Sequence, residues 1–374
     1  MHIGIDATAL PARLYGAANY TVNLVRALEQ VDCVNEYTVF AKPEHASLFS
    51  SRERFHIVPV PLASRYFRIA WEQTMLPVLA RRARLDVLHS PHYTMPFAAG
   101  CASVVSFHDM TFFLYPQVHR AYKKLFFTYM MRFSARHAGA IIAISESTRD
   151  DVLRILKLEP RKVFTVVYGI DRIFQPLRDE AMFAEVRQKY NLPPQYILYV
   201  GNLEPRKNLP TLLRAFARLV QKGLPHSLVL AGSRGWMDSD IFSTVQELGL
   251  GARVLFPGYC PQPELPALYG AASLFVYPSL YEGFGLPVLE ALACGVPVIT
   301  SNVSSMPEVA GDAALLVDPH NVDELADKME GVLEDAALRE RLSCAGPERA
   351  RAFRWERTAR ETLAVYERAA RGSA

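Results

Sequence analysis

Short apolar runs rich in β-branched and aromatic residues recur along this chain, separated by amphipathic segments of helix length. That alternation restricts the fold more than any other feature. The runs are His2–Ala7, Tyr37–Phe40, Phe55–Val60, Val87–His89, Ser103–His108, Ala140–Ser145 and Val163–Tyr168, then Tyr196–Val200, Ser227–Ala231, Val254–Phe256, Leu274–Tyr277, Val296–Thr300 and Ala314–Val317. They are continuously apolar, as in strands covered on both faces. Strands that alternate with helices form right-handed βαβ units, hence parallel sheets. The rhythm breaks over Asp171–Pro194, which holds Pro176, a polar helical stretch at Ala181–Tyr190, and Pro193 with Pro194. This reads as an interdomain connection. The expectation is an α/β chain of two Rossmann-like domains, residues 1–175 and 190–350. A final segment, residues 351–374, carries the helix Trp355–Arg371, which is expected to cross back to the first domain.

The 374 residues suffice for two cores. No apolar run approaches the ~18 residues of a membrane span. The start, Met1–Leu10, lacks a basic region ahead of a long apolar stretch, so it reads as a first strand rather than a signal peptide. Cys33, Cys101, Cys260, Cys294 and Cys344 show no C-x-x-C spacing, which suggests neither zinc nor a disulfide framework. A cytoplasmic protein is expected, with no metal and no nucleic-acid partner. Charge is uneven: 21 Lys and Arg against 14 Asp and Glu through Gln175, then 20 against 24. The basic half is either ordinary surface charge or a face for anionic lipid or a pyrophosphate-bearing acceptor.

Pro278–Thr300 is the most informative segment. A strand ends at Pro278, a loop with Gly283 and Gly285 lets backbone approach a ligand, and Pro287 opens a short helix closed by Gly295. Glu282 lies in the loop, and Glu290 is read in the first helical turn. The helix N-terminus suits a diphosphate. One carboxylate can accept from a ribose diol and the other from a hexose; the bland alternative is a helix-start acid plus a surface acid. In Tyr196–Leu209, a strand and a turn at Gly201 lead to Arg206 and Lys207 beside a helix opening near Asn208. Two such cations can neutralise a departing diphosphate, or simply be solvated. In Val104–Asp109 a strand delivers His108 and Asp109 at its carboxyl end, where open α/β sheets place ligands. Asp109 is expected to orient the imidazole.

The Glu282/Glu290 pair resembles the E-x7-E signature of retaining glycosyltransferases of family 4, which have the GT-B fold. The likeness continues through Ser301-Asn302, Met306–Val309 and Gly311–Ala313 and into the first half of the chain. It implies two domains facing across a cleft, with the donor on the second. It implies that Glu282 contacts the donor sugar, that Glu290 binds the ribose, and that the amides of Phe284, Gly285 and Leu286 lie near the phosphates or sugar. Lys207 matches the family lysine. Asn202 stands where an arginine is frequent, so Arg206 is expected to supply that charge. His108 resembles the histidine that meets the donor sugar, Gly16 one of two glycines near the donor phosphate (Ala17 replaces the other), and Ser145 a first-domain serine. Val254–Tyr259 is expected near the nucleotide base.

Two segments mix cations with aromatics: Ser64–Arg84, with Arg65, Arg68, Arg81, Arg82 and Arg84 among Tyr66, Phe67 and Trp71, and Arg120–Arg136, with Lys123, Lys124, Arg132 and Arg136 among Phe126, Phe127 and Tyr129. Each suits peripheral contact with the inner face of the cell membrane or, equally, a core helix with a solvated basic side. His89–His92 and Trp71–Gln73 resemble relatives that transfer mannose or deoxymannose in surface-polysaccharide synthesis. The expected activity is metal-independent, retaining transfer of a hexose, with GDP-mannose as the donor substrate and no other cofactor, to a glycan or lipid-pyrophosphate-linked acceptor. An epimerase or hydrolase of the same fold would differ in products. A non-catalytic sugar-binding partner of a synthesis complex would bind donor without turnover. A dinucleotide oxidoreductase is disfavoured because no G-x-G-x-x-G follows a strand.

Overall fold

A computed structural model describes residues 1–11, 16–62, 64–177, 179–235 and 238–372. Part of the loop before Gly16 therefore lies outside the described residues, as do the side chains of Ala17 and Arg65. The chain divides into two compact units, Met1–Gly169 with Arg354–Ala374, and Ile170–Phe353.

In the first unit the strands are β1 His2–Asp6, β2 Glu36–Ala41, β3 Phe55–Pro59, β4 Val87–Ser90, β5 Ala102–Phe107, β6 Ala140–Ala143 and β7 Val163–Thr165. Helices α1 Ala17–Val31, α2 Arg65–Arg82, α3 Thr111–Leu114, α4 Ala121–His137 and α5 Glu146–Leu156 punctuate them. The sheet runs β3-β2-β1-β4-β5-β6-β7, with every pairing parallel. Every residue of β4, β5 and β6 is buried, which is why these runs read as continuously apolar. Met131 and Ala135 of α4 pack on Val105, Phe107, Ile141 and Ala143. A Val, Ile, Phe or Met side chain, once fully buried, is worth roughly 1.5–3 kcal/mol.

The second unit holds β8 Tyr196–Val200, β9 Ser227–Ala231, β10 Val254–Gly258, β11 Leu274–Tyr277, β12 Val298–Ser301 and β13 Leu315–Val317. Its sheet order is β10-β9-β8-β11-β12-β13, again all parallel. Its helices are α6 Glu180–Tyr190, α7 Leu209–Gln221, α8 Ser239–Glu247, α9 Leu265–Gly270, α10 Leu286–Ala293, α11 Met306–Ala310, α12 Val322–Glu334 and α13 Ala336–Ala350. Helix α6, expected as a connection, belongs to this unit and packs on α9. The divisions fall at Gly169 and Phe353 rather than at 175 and 350.

The last helix, α14 Trp355–Gly372, returns to the first unit and packs along α1. Its Tyr366 is fully buried, and its hydroxyl lies 2.7 Å from His89 Nδ1. His89 Nε2 lies 2.8 Å from Ser106 Oγ, which in turn lies 3.0 Å from the Tyr20 hydroxyl. Burial, helped by His108, pulls the His89 imidazole down to about 3, so it is neutral. This polar chain joins α14, β4, β5 and α1 inside an otherwise apolar layer.

Both sheets reverse their strand order once, between β1 and β4 in the first and between β8 and β11 in the second. In open α/β sheets the crevice beyond the carboxyl ends at such a reversal is where ligands bind.

Candidate active site

In the second unit, the loops leaving β8 and β11 at the reversal carry Arg206, Lys207 and Glu282. Lys207, buried, donates from Nζ to Glu282 Oε1 at 2.6 Å and to the Tyr277 hydroxyl at 2.7 Å. Arg206 Nη1 meets Glu282 Oε2 at 2.8 Å and also donates to the Tyr281 carbonyl. Ser279 Oγ donates to Glu282 Oε1 at 2.6 Å. Burial alone would raise the Glu282 carboxyl, but Arg206 and Lys207 outweigh it and hold it at about 2, ionised at neutral pH. Lys207 is pulled below its ordinary value by burial and by Arg206, against the pull of Glu282. With all three ionised, the cluster keeps one net positive charge.

Backbone contacts lock the two loops together. The Arg206 carbonyl accepts from the Leu280 amide at 2.9 Å and lies 3.1 Å from Ser279 Oγ. Asn208, left-handed at φ 57°, donates from its side-chain Nδ2 to the carbonyls of Pro278 and Pro319. Ser305 Oγ lies 2.9 Å from the Glu282 carbonyl and 2.8 Å from that of Phe284, and Ser304 Oγ accepts from the Glu282 amide at 3.0 Å. Asn202 does not take the place of a cation: its side chain donates to Glu204 Oε1 at 3.3 Å.

Gly285, at φ 104°, caps α10, a conformation that disfavours any residue with a Cβ. Leu286 is the first helical residue and Pro287 the second, so the amide of Leu286 starts the helix without an intrahelical acceptor. Glu290 lies one turn deeper than expected, in the second turn rather than the first. It is buried, accepts from the Tyr269 hydroxyl at 2.9 Å, and has no cation at ion-pair distance among the described residues. Burial lifts its carboxyl to about 8, with the Tyr269 hydroxyl opposing and Asp171 adding to the rise. Two acids eight residues apart thus stand in opposite electrostatic settings.

In the first unit, His108 follows β5, buried. Its Nε2 lies 2.6 Å from the Pro91 carbonyl, which can only accept, so Nε2 carries the proton. Nδ1 then accepts from the Tyr168 hydroxyl at 2.5 Å. Burial brings the ring down to about 4 and keeps it neutral, despite the opposing Pro91 carbonyl and Asp109. Asp109 does not orient this imidazole: its carboxylate accepts from the amide and hydroxyl of Thr111. Ser145 caps α5, its Oγ accepting from the Thr148 amide at 2.9 Å. Gly16 caps α1 at φ 50°, exposed.

Residues 15–173 match the family model described as Glycosyltransferase Family 4, and residues 182–349 the model described as Glycosyl transferases group 1. Over 283 residues the chain is 36% identical to the O-antigen chain mannosyltransferase B of Escherichia coli, covering 75% of this chain and 74% of that protein. The chain belongs to glycosyltransferase family 4. It is also 32% identical over 236 residues to the serotype-specific mannosyltransferase WbdA of Escherichia coli, covering 62% of this chain and 29% of that longer protein. The sucrose-phosphate synthase of Thermosynechococcus elongatus superposes with a TM-score of 0.76 over 98% of both chains at 24% identity, a likeness of fold, GT-B.

For a family 4 glycosyltransferase, the sequence reading missed the hydroxyls that tune its two acids. Ser279 sits within Pro278–Thr300 and Tyr277 directly before it, and both hydroxyls reach Glu282. Tyr269 lies 21 residues from Glu290 and carries no local signal.

Proposed function

We propose that this glycosyltransferase moves a hexose, with GDP-mannose as the first donor to try, to a hydroxyl of a glycan or lipid-pyrophosphate-linked acceptor, with retention at the anomeric carbon. The observation that carries the reading is the Arg206–Glu282–Lys207 cluster at the second sheet's reversal. Its residual positive charge, with the start of α10, suits the negative charge that builds on a departing diphosphate, a charge the protein then meets without metal. An ionised Glu282 only accepts hydrogen bonds, which fits a sugar hydroxyl as its partner. Glu290 is assigned the ribose diol. A front-face displacement, with the departing phosphate oxygen taking the acceptor proton, needs no second carboxylate. The identity to the Escherichia coli mannosyltransferase supports mannose. His108 is assigned to the donor sugar through its backbone, since both ring nitrogens are bonded within the unit.

Incubation with GDP-mannose, UDP-glucose and dTDP-hexoses, with and without EDTA, tests this. An α-linked product from an α-linked donor, formed in EDTA, is the expected result. Free sugar or an epimerised nucleotide as the only product would replace the reading with the hydrolase or epimerase; bound nucleotide with no product would favour the non-catalytic partner.

Peripheral membrane contact belongs to the same proposal. No helix of the described residues is long and apolar enough to cross a membrane. Helix α4 is divided: Met130, Met131, Ser134 and Ala135 are buried, while Tyr122, Leu125 and Tyr129 are exposed beside Lys123 and Lys124. Its first half, with exposed Tyr66 and Phe67 of α2, suits an anionic bilayer. Co-sedimentation with phosphatidylglycerol vesicles, reduced by Leu125→Glu, is the check.

A further inference from the structure

The first sheet also reverses its strand order, and a cavity of about 250 Å³ opens there, within the first unit. Asp6 and Ala7, leaving β1, line one side, and Pro91 and His92, leaving β4, line the other; Ala18 and Thr21 of α1 close it. Sites that enclose a drug-sized ligand run to roughly 300–1,000 Å³, so this one suits a single sugar ring.

Two polar groups face this space with hydrogen-bonding capacity left over. Asp6 uses Oδ1 for the amide and hydroxyl of Thr8, while its Oδ2 stands 3.8 Å from Arg68. Among the described residues the His92 ring, partly buried, reaches only its own backbone for a hydrogen bond and otherwise touches its neighbours through ring contacts with Tyr93, His108 and Phe127. Burial, with His108 and Arg68 adding, brings it down to about 3, so one nitrogen donates and the other accepts.

The segment bearing His92 is held from α2. Buried Glu72 accepts from Arg68 at 2.6 Å and from the Thr94 hydroxyl at 2.9 Å. Gln73 donates to the Met95 carbonyl at 3.2 Å and accepts from the Phe97 amide at 2.9 Å. The same segment presents the Pro91 carbonyl that fixes His108. Glu72 and Gln73 therefore hold the stretch Thr94–Phe97 that directly follows His89–His92.

We propose that this cavity receives a terminal sugar ring of the acceptor, with Asp6 accepting from one hydroxyl and His92 bonding another, and with Glu72 and Gln73 as positioning residues. The inference rests on the glycosyltransferase reading and names its acceptor side.

The test uses the full chain and α-mannotriose as probe, titrated by saturation-transfer NMR with GDP present, beside a separate GDP titration. Asp6→Asn and His92→Phe are expected to weaken triose binding at least tenfold and to leave GDP affinity within twofold. Glu72→Gln should weaken triose binding less, and Gln73→Glu likewise. In turnover with GDP-mannose, the Asp6 and His92 variants should raise KM for the triose and leave KM for the donor unchanged. Triose binding unaltered in both variants overturns the proposal, as does absence of triose binding to the GDP-bound wild type, and the donor reading survives either result. Equal loss of GDP binding would make the cavity part of the donor site and also overturn it. A wild type that binds neither GDP nor any other nucleotide tested defeats the donor reading instead.

Discussion

The hydroxyl of Tyr269 lies 2.9 Å from Glu290 Oε2, deep enough that burial lifts this carboxyl to about 8. A ribose diol donates to the ionised form, so nucleotide affinity should rise as pH climbs from 6 to 9. Tyr269→Phe removes a bond that lowers the value and should move the midpoint upward. Isothermal titration with GDP across that range checks both. A flat profile in a folded protein would remove Glu290 from the ribose role, as would unchanged donor affinity in Glu290→Ala.

The same group has a stability consequence. An acid whose folded value is raised favours the folded state while protonated, below the unfolded value near 4.5, and loses that contribution as pH rises through about 8. Glu290→Gln should therefore gain on the order of 1–3 kcal/mol over wild type above pH 8 and little below pH 5. Urea denaturation at pH 5 and pH 9 reads the difference.

Glu282 has the opposite sign. Held at about 2, mainly by Arg206 and Lys207 against burial, it stabilises above the unfolded value near 4.5, and that stability is lost as pH falls toward 2. Glu282→Gln strands buried Lys207 and should cost about 3–5 kcal/mol at pH 7. Lys207→Met with Glu282→Gln should recover part of it. Both single variants should lose transfer by more than tenfold, measured as initial rate per folded molecule.

Tyr366→Phe should cost about 1–3 kcal/mol, because it leaves His89 Nδ1 without its partner inside the first unit. His89 is held at about 3 by burial, so its contribution is present above the unfolded value near 6.5 and fades as pH falls toward 3. A melting temperature that drops between pH 6.5 and 4, less steeply in His89→Gln, is the expected observation. An identical slope in both would place the acid sensitivity elsewhere.

Gly232→Ala tests the backbone behind the cation loop. A Cβ there would fall 2.0 Å from the Gly201 carbonyl oxygen, and φ is +147°. The loop from Gly201 to Lys207 must shift to admit it. A loss of about 2–4 kcal/mol, with weakened GDP binding, is expected by chemical denaturation and titration.

Much of this protein was legible before any coordinate. Parallel strands buried on both faces need long apolar runs, so Ile3, Val105, Ile141 and Phe275 announce their strands locally. Glycine and proline punctuation likewise placed Gly285 and Pro287 at the start of α10, because backbone dihedrals are a local property. Glu282, Lys207 and His108 were recognisable as residues. Their states were not. Periodicity carries no information on strand order, and only the order β3-β2-β1-β4 and β10-β9-β8-β11 brings Asp6 beside His92 and Lys207 beside Glu282. The assignment of Asp109 to His108 failed because a neighbour in sequence was preferred to Tyr168, 60 residues away, and to the Pro91 carbonyl. Whether a buried acid is ionised depends on which cations and hydroxyls share its enclosure, and those arrive from distant strands. The local chain therefore chose the elements and the chemical groups, and tertiary packing chose their partners and charges.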